Sequence, residues 1–366
     1  MSPTFLFGPV LAGYAFQQTA LVSMVPVFTQ LLGLSESQVG LSVAAGLLLA
    51  GLGPPFVGLL GGSRVMAGAL WGLMLGNLAL LALLGVRPEM QPAGLILAAL
   101  VLIRSVQGLS FASLMMLAQQ ASFQTGNGRK TLAAVQSTGS LGRIAAALSV
   151  GPLLVLSPLA PLLPGVIGAL VSLVRARKAS APPLRSTLRP PGLGAFRVVI
   201  FSQMAVGAAQ IGLAPLVMAR LDLSATAAAG MAGLCLAAAH AGLFLALRLL
   251  VPRAKPTHAR LVALGLLLAA GGMTQAAHPA AFLLLSFVIG ASTASLFTLS
   301  LSDILTRKDF AQLQVAGWNG TVQIVSLALG VAVGAALLAL SPAAPFAVAG
   351  LCGVVLALFP SAIERT

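Results

Sequence analysis

The chain has 366 residues, of which 58% are hydrophobic and 7% charged, with a mean hydropathy of +1.04. That balance excludes a water-soluble globular domain and fits a chain solvated by lipid, so an integral membrane protein is expected. The formal net charge of +14 would suggest nucleic acid in a soluble protein, but the basic residues form no patch with interleaved aromatics, and nucleic acid is excluded as a partner.

The N-terminal stretch MSPTFLFG has neither a basic leader nor a small-residue cleavage site, so the first apolar segment is expected to be retained. A helix crossing a hydrocarbon core of about 30 Å needs about 20 mostly apolar residues. Glycine, proline and charge divide the first half into spans at 5–28, 39–60, 65–84, 93–119, 132–156 and 159–174. The second half divides into 198–218, 227–247, 261–277, 280–301, 315–340 and 345–359. Twelve spans result; the sixth and twelfth are short, and eleven is the alternative count.

Lys and Arg accumulate in cytoplasmic loops. With the N-terminus inside, the cytoplasmic set holds Arg64, Arg129, Lys130, Arg175, Arg177, Lys178, Arg185, Arg189, Arg197, Arg248, Arg253, Lys255, Arg260, Arg307, Lys308 and Arg365, and only Arg87 and Arg220 fall outside. A missed or invented span would scramble that asymmetry. The expectation is a multi-pass protein of the cytoplasmic (inner) membrane with both termini cytoplasmic, its high pI reflecting topology, and with anionic lipid headgroups as attracted partners.

The stretch RARKASAPPLRSTLRPPGLGAFR, residues 175–197, is basic, proline-rich and without helical periodicity, as expected of a cytoplasmic linker. It separates an N-terminal six-helix bundle, 1–174, from a C-terminal one, 198–366. The halves share faint similarity: GLSFASL from Gly108 matches GASTASL from Gly290. Parallel repeats of this kind occur in one large class of transporters.

Polar side chains within the spans should face other helices or a cavity. Span 1 carries Tyr14, Gln17 and Gln18; span 4, Arg104 and Gln107; span 5, Gln136 and Arg143; span 7, Gln203 and Gln210; span 8, His240; span 11, Asn319 and Gln323. Spans 6 and 12 have almost nothing polar beyond serine, which marks them as peripheral. At 1.5 Å per residue, Arg104 and Arg143 each lie about 16 Å from their own membrane face, near the midplane. Gln17 and Gln210 reach similar depth. A mid-membrane arginine costs about 2.5–3.5 kcal/mol on insertion scales.

By helical spacing, Arg104, Gln107, Gly108 and Phe111 share one face, as do Gln136, Ser140, Arg143 and Ala147. Two arginines at one depth repel unless an anion or backbone carbonyls lie between them. The spans supply no carboxylate: Asp303 lies at the cytoplasmic end of span 10, and Glu36, Glu89 and Asp222 fall in outer loops. These residues form the candidate substrate site, with Arg104, Arg64 and Asp303 as candidates for coupling or gating. Each amide taken singly is also compatible with an interhelical bridge worth about 0.6 kcal/mol, and His240 with a packed helix position.

Cys235 and Cys352 sit in apolar runs and read as small buried residues. Gly68, Gly72 and Gly76 recur every four residues and should form a close-approach groove. No metal or cofactor is expected. An enzyme is the least expected class, since nothing assembles a nucleophile with a base, a metal cluster or paired acids.

The sequence RSVQG in span 4 resembles the intramembrane arginine motif of the major facilitator superfamily, particularly its drug and metabolite exporters. MVPVFTQLLGLSESQVGLSVAAGLLLAGLGPPFVGLLGGSR is similar to that family's first two spans, and SLGR, residues 140–143, to the start of its span 5 exporter motif. The resemblance covers Pro26 to about Pro152. It implies an all-α membrane protein with 12 transmembrane helices in two pseudo-symmetric six-helix bundles, a central cavity and rocking alternating access. It also implies that Arg104 assists proton transfer. The chain departs from the pattern at Gly62, where the family carries aspartate, at Ala146 and Ala147, where a Gly-Pro pair is usual, and at Gln17 and Gln18, where proton-coupled relatives have an acid. These departures count against proton antiport and leave the fold untouched.

The leading expectation is a secondary active transporter exporting a small organic molecule, anionic or zwitterionic, by a rocker-switch mechanism, with protons as a second candidate partner and a monomer as the working state. The alternatives are an importer or uncoupled facilitator of a small metabolite, and a non-transporting membrane sensor or accessory protein on the same scaffold.

Overall fold

A computed structural model describes residues 2–57, 62–85, 92–123, 128–177, 193–251, 258–306 and 312–359. The described residues form thirteen α-helices: α1 (Pro3–Ser23), α2 (Val25–Leu32), α3 (Glu36–Val57), α4 (Gly62–Gly85), α5 (Ala93–Phe123), α6 (Gly128–Leu156), α7 (Leu163–Ala176), α8 (Arg197–Leu221), α9 (Ala225–Leu245), α10 (His258–Gln275), α11 (Pro279–Thr306), α12 (Gln312–Leu338) and α13 (Ala344–Leu358). Eight of them are long and apolar enough to cross a membrane unaided; α7 and α13 are shorter apolar helices. Counting α1 with α2 as one element gives twelve helical elements among the described residues, in the order the sequence predicts.

The first span is interrupted at Met24. Pro26 has no N–H to donate to Val22, and its ring crowds that carbonyl, so the helix restarts as α2. Gly33, at φ 63°, then ends α2 in the left-handed region. Ser35 and Gln38 cap the start of α3 reciprocally, through Ser35 N–H to Gln38 Oε1 at 2.9 Å and Gln38 N–H to Ser35 Oγ at 3.2 Å. The axes of α2 and α3 differ by 111°.

The turn, without the helix break, recurs between α8 and α9, since α8 runs unbroken through Pro215. Pro26, Leu32, Leu34 and Ser35 align without a gap on Pro215, Leu221, Leu223 and Ser224. Asp222, φ 51°, takes the left-handed place of Gly33, and Ser224 Oγ accepts from Ala227 N–H at 3.3 Å. This correspondence is a sharper mark of the repeat than the Gly108 and Gly290 segments.

Packing follows the repeat. In the first half α1 lies against α6 and α7, α3 against α5, and α4 against α5; in the second, α8 lies against α12 and α13, α9 against α11, and α10 against α11. The halves meet along two helix pairs, α3 with α12 and α6 with α9. Glycines make both approaches possible: a Cβ on Gly40 would lie 2.5 Å from Ala335 Cβ, and one on Gly233 would lie 2.6 Å from the Ala147 carbonyl oxygen. Gly151 and Gly230 pack Cα to Cβ position. Gly40, Gly151 and Gly230 all lie toward the end that carries the α2–α3 turn, where the halves are therefore closed on one another.

Arg175 and Ala176, the first residues of the expected linker, complete α7, and Leu193–Phe196, near its end, form one 3-10 turn before α8. Residues 178–192 lie outside the described residues. Arg175 Nη1 donates to the Phe5 carbonyl at 2.6 Å and its guanidinium stacks 3.8 Å over the Phe5 ring. Arg197 Nη2 donates to the Phe359 carbonyl at 3.0 Å. Both linker-end cations thus tie chain ends to the helices beside them.

Candidate functional site

Arg104 is buried inside the N-terminal bundle, 1% exposed. Its Nη1 donates to Gln107 Oε1 at 2.5 Å, one turn along α5, and its Nη2 donates to Gln18 Oε1 on α1. Gln107 Nε2 passes the chain on to Asn77 Oδ1 of α4 at 2.8 Å. Tyr14 brings its hydroxyl beside the guanidinium and stacks its ring on Phe111 with centroids 4.0 Å apart. Three helices therefore converge on one cation whose good hydrogen bonds are all to neutral amides.

Small residues make room for this cluster. A Cβ on Gly46 would fall 2.7 Å from the Arg104 carbonyl oxygen, one on Gly76 2.8 Å from Gln107 Cγ, and one on Gly165 of α7 3.0 Å from Gln17 Oε1. The cluster is not saturated: Tyr14 Oη, both amide atoms of Gln17, Asn77 Nδ2 and Arg104 Nε are buried without a well-formed hydrogen bond. Unused donors and acceptors at this depth are costly, so the site keeps polar capacity in reserve.

Arg143 occupies a different environment. On α6, Gly142 packs on the Ala12 carbonyl of α1 and Ala147 on Gly233 of α9, while Leu141 and Leu148, 64% and 56% exposed, face outward. By helical rotation Arg143 lies on the inner arc between the α1 and α9 contacts. It is exposed there, on the side of α6 that packs against α9, the helix of His240. The two arginines that the sequence places at one depth are thus one interior cation and one accessible cation.

His240 and Gln210 are half-buried and stand at the rim of a cavity of about 80 Å³ within the C-terminal bundle. Helices α8, α9, α10, α11 and α13 enclose it. Its deeper wall is made by Leu213, Leu236, Met273, Ile289 and Phe346, all buried. Cys235 and Ser286 face each other in it.

The remaining candidates scatter. Gln203 is half-buried on α8, two turns from Gln210 on the same face; on α12, Asn319 is buried with an unpartnered Oδ1, and Gln323 is half-buried one turn on. Arg64 is exposed in the first turn of α4. The side chains of Gln136 and Asp303 lie outside the described residues. The glycine groove forms only in part: α5 fills Gly72 and Gly76 with Ser110 and Gln107, but Gly68 faces open space. Asn77 and Ser286 are the site residues missed from sequence. Asn77 had a signal, since it is the lone amide in an otherwise apolar span; Ser286 had none.

No family model and no curated protein matches the chain. Solved structures do. A D-xylose–proton symporter superposes with a TM-score of 0.72 at 17% identity, covering 97% of this chain and 96% of that one. The nucleoside transporter NupG superposes with a TM-score of 0.70 at 13% identity over 100% of both chains, and a point variant of it with 0.68 at 14% identity over 97% and 98%. At such identities the likeness concerns the fold: the chain has the twelve-helix major facilitator architecture. These fold neighbours are membrane transporters and not enzymes.

Proposed function

We propose that the chain is a secondary carrier that moves a small organic metabolite across the cytoplasmic membrane by rocking its two six-helix bundles, 1–174 and 198–366, about a central site. The observation that carries this reading is Arg143: an accessible cation on the inner arc of α6, between the halves, on the helix that packs against α9, which brings His240 to the rim of a cavity. A cation there, with no carboxylate in any span to neutralise it, favours an anionic or zwitterionic substrate. Arg104 and its amides supply a second, interior polar centre whose spare hydrogen-bonding atoms suit it to respond when the bundles move.

Import or facilitated exchange is the preferred direction. A fold neighbour described as a proton symporter and another described as a nucleoside transporter support uptake of metabolites better than they support export, which rests on the motif resemblance alone. The spans lack the acid that proton coupling commonly uses, which favours exchange without protons. Flux in reconstituted vesicles tests the reading. Small carboxylates and amino acids should enter saturably and show counterflow, with rates indifferent to an imposed proton gradient. Binding without counterflow would make the chain a sensor on the same scaffold, and gradient-driven accumulation would restore proton coupling.

A further inference from the structure

The two bundles use equivalent helices to build opposite interiors. In the first, α1, α3, α4, α5 and α7 surround the Arg104 cluster, which fills the space between them. In the second, the helices in the same order of the repeat, α8, α9, α10, α11 and α13, surround the 80 Å³ cavity instead. We infer that this cavity is an apolar subsite that takes a compact aliphatic group of the substrate, while Arg143, His240 and Gln210 hold its polar head at the rim. The inference rests on the carrier reading above and narrows its substrate class.

The chemistry of the wall supports a hydrocarbon. Met273 and Phe346, each 1% exposed, form the floor, and methionine adapts its shape to an irregular guest. Few polar groups reach inside. Thr293 Oγ1 already donates to the Ile289 carbonyl at 2.8 Å, and Ser286, 4% exposed, has an unpartnered Oγ beside the Cys235 thiol. A pentose or hexose would bury several hydroxyls there with too few partners, each costing about 1–3 kcal/mol. One polar atom could be met by Ser286; a ring of hydroxyls could not.

Size and placement fit as well. An apolar cavity of about 150 Å³ can hold benzene, so the present one, at about 80 Å³, accommodates an aliphatic group of about three carbons. The rim residues Gln210 and His240 are half-buried and Leu243 is exposed, whereas the wall is buried, so the cavity opens at the His240 edge of α9, the helix against which the α6 of Arg143 packs. A carboxylate attached to a short branched chain would place its charge and its hydrocarbon in these two environments together.

The two cysteines supply a readout without mutation. Cys235 lines the cavity and Cys352, on α13, does not. Purified full-length protein is treated with methyl methanethiosulfonate, and labelling of each cysteine is followed by peptide mass spectrometry. The competitors are straight and branched carboxylates from acetate to hexanoate, and the matching neutral alcohols. Protection of Cys235 should strengthen about fourfold per added methylene until the cavity fills, with Cys352 unaffected, and Ala209→Leu, which adds bulk to the wall, should abolish that dependence. Protection that ignores chain length, equal protection of both cysteines, or a Cys235 as unreactive as Cys352 overturns the subsite, as does an Ala209→Leu protein that is only more stable. Alcohols that protect as well as carboxylates leave the subsite standing and remove the anion preference; carboxylates that raise thermal stability without any length dependence do the reverse.

Discussion

Gly108 of α5 sits directly on the carbonyl of Gly46 in α3, with no room for a methyl group between them. The same Gly46 leaves only 2.7 Å from its own Cβ position to the Arg104 carbonyl oxygen, so this crossing sets where the buried arginine stands. Gly108→Ala should force the helices apart and destabilise the protein by about 1–3 kcal/mol, read as a lower detergent-solubilised melting temperature. Gly68→Ala, where a methyl group would meet nothing within 4 Å, is the control and should be neutral or slightly stabilising, as expected for alanine over glycine in a helix.

Arg104 separates structure from function. Its removal loses two hydrogen bonds to amides but also relieves a desolvated charge, and buried charges are often no net gain to stability. Arg104→Gln, which can still donate to Gln18 or Gln107, should therefore melt at or above the wild-type temperature while substrate flux falls by tenfold or more. Arg104→Lys should not rescue flux, because an ammonium cannot reach Gln18 and Gln107 with the fork geometry of a guanidinium. A glutamine variant that unfolds yet transports normally per folded molecule would make the residue a strut.

The sequence carried the architecture because lipid imposes it: each span must be apolar for about 20 residues. Helical spacing correctly put Arg104, Gln107, Gly108 and Phe111 on one face, and the structure uses that face for hydrogen bonds, helix contact and the Tyr14 stack. Periodicity does not say which neighbour a face meets. Arg104 therefore read as a cavity cation like Arg143, although α1 and α4 close over it. The C-terminal cavity was invisible for a related reason: its wall is ordinary Leu, Met, Ile and Phe from five helices, and an unfilled volume leaves no mark on any one of them.

The paired turns give a stability test with opposite signs. Gly33 and Asp222 both hold positive φ, at 63° and 51°, a region costing an ordinary L-residue about 1–2 kcal/mol. Gly33→Ala should lower stability by about 1 kcal/mol, while Asp222→Gly should raise it by a smaller amount, since aspartate tolerates the left-handed region better than most residues. Thermal melts of the two variants beside wild type decide this. Equal effects of one sign would mean that the turns are held by their neighbours and not by their own backbone preference.

Arg143 should behave as a surface residue in stability and as a site residue in transport. Its side chain is exposed on the inner arc of α6, so Arg143→Gln should change the folding free energy by no more than about 0.5 kcal/mol while raising KM for an anionic substrate at least tenfold. Arg143→Lys keeps the charge and should recover part of that loss. An accessible charge is also screened: the Debye length falls from about 10 Å at 0.1 M salt to about 3 Å at 1 M. Wild-type KM should therefore climb with ionic strength, and the Arg143→Gln KM should stay flat. A salt response of equal size in both proteins would place the substrate's charge elsewhere and separate this arginine from recognition.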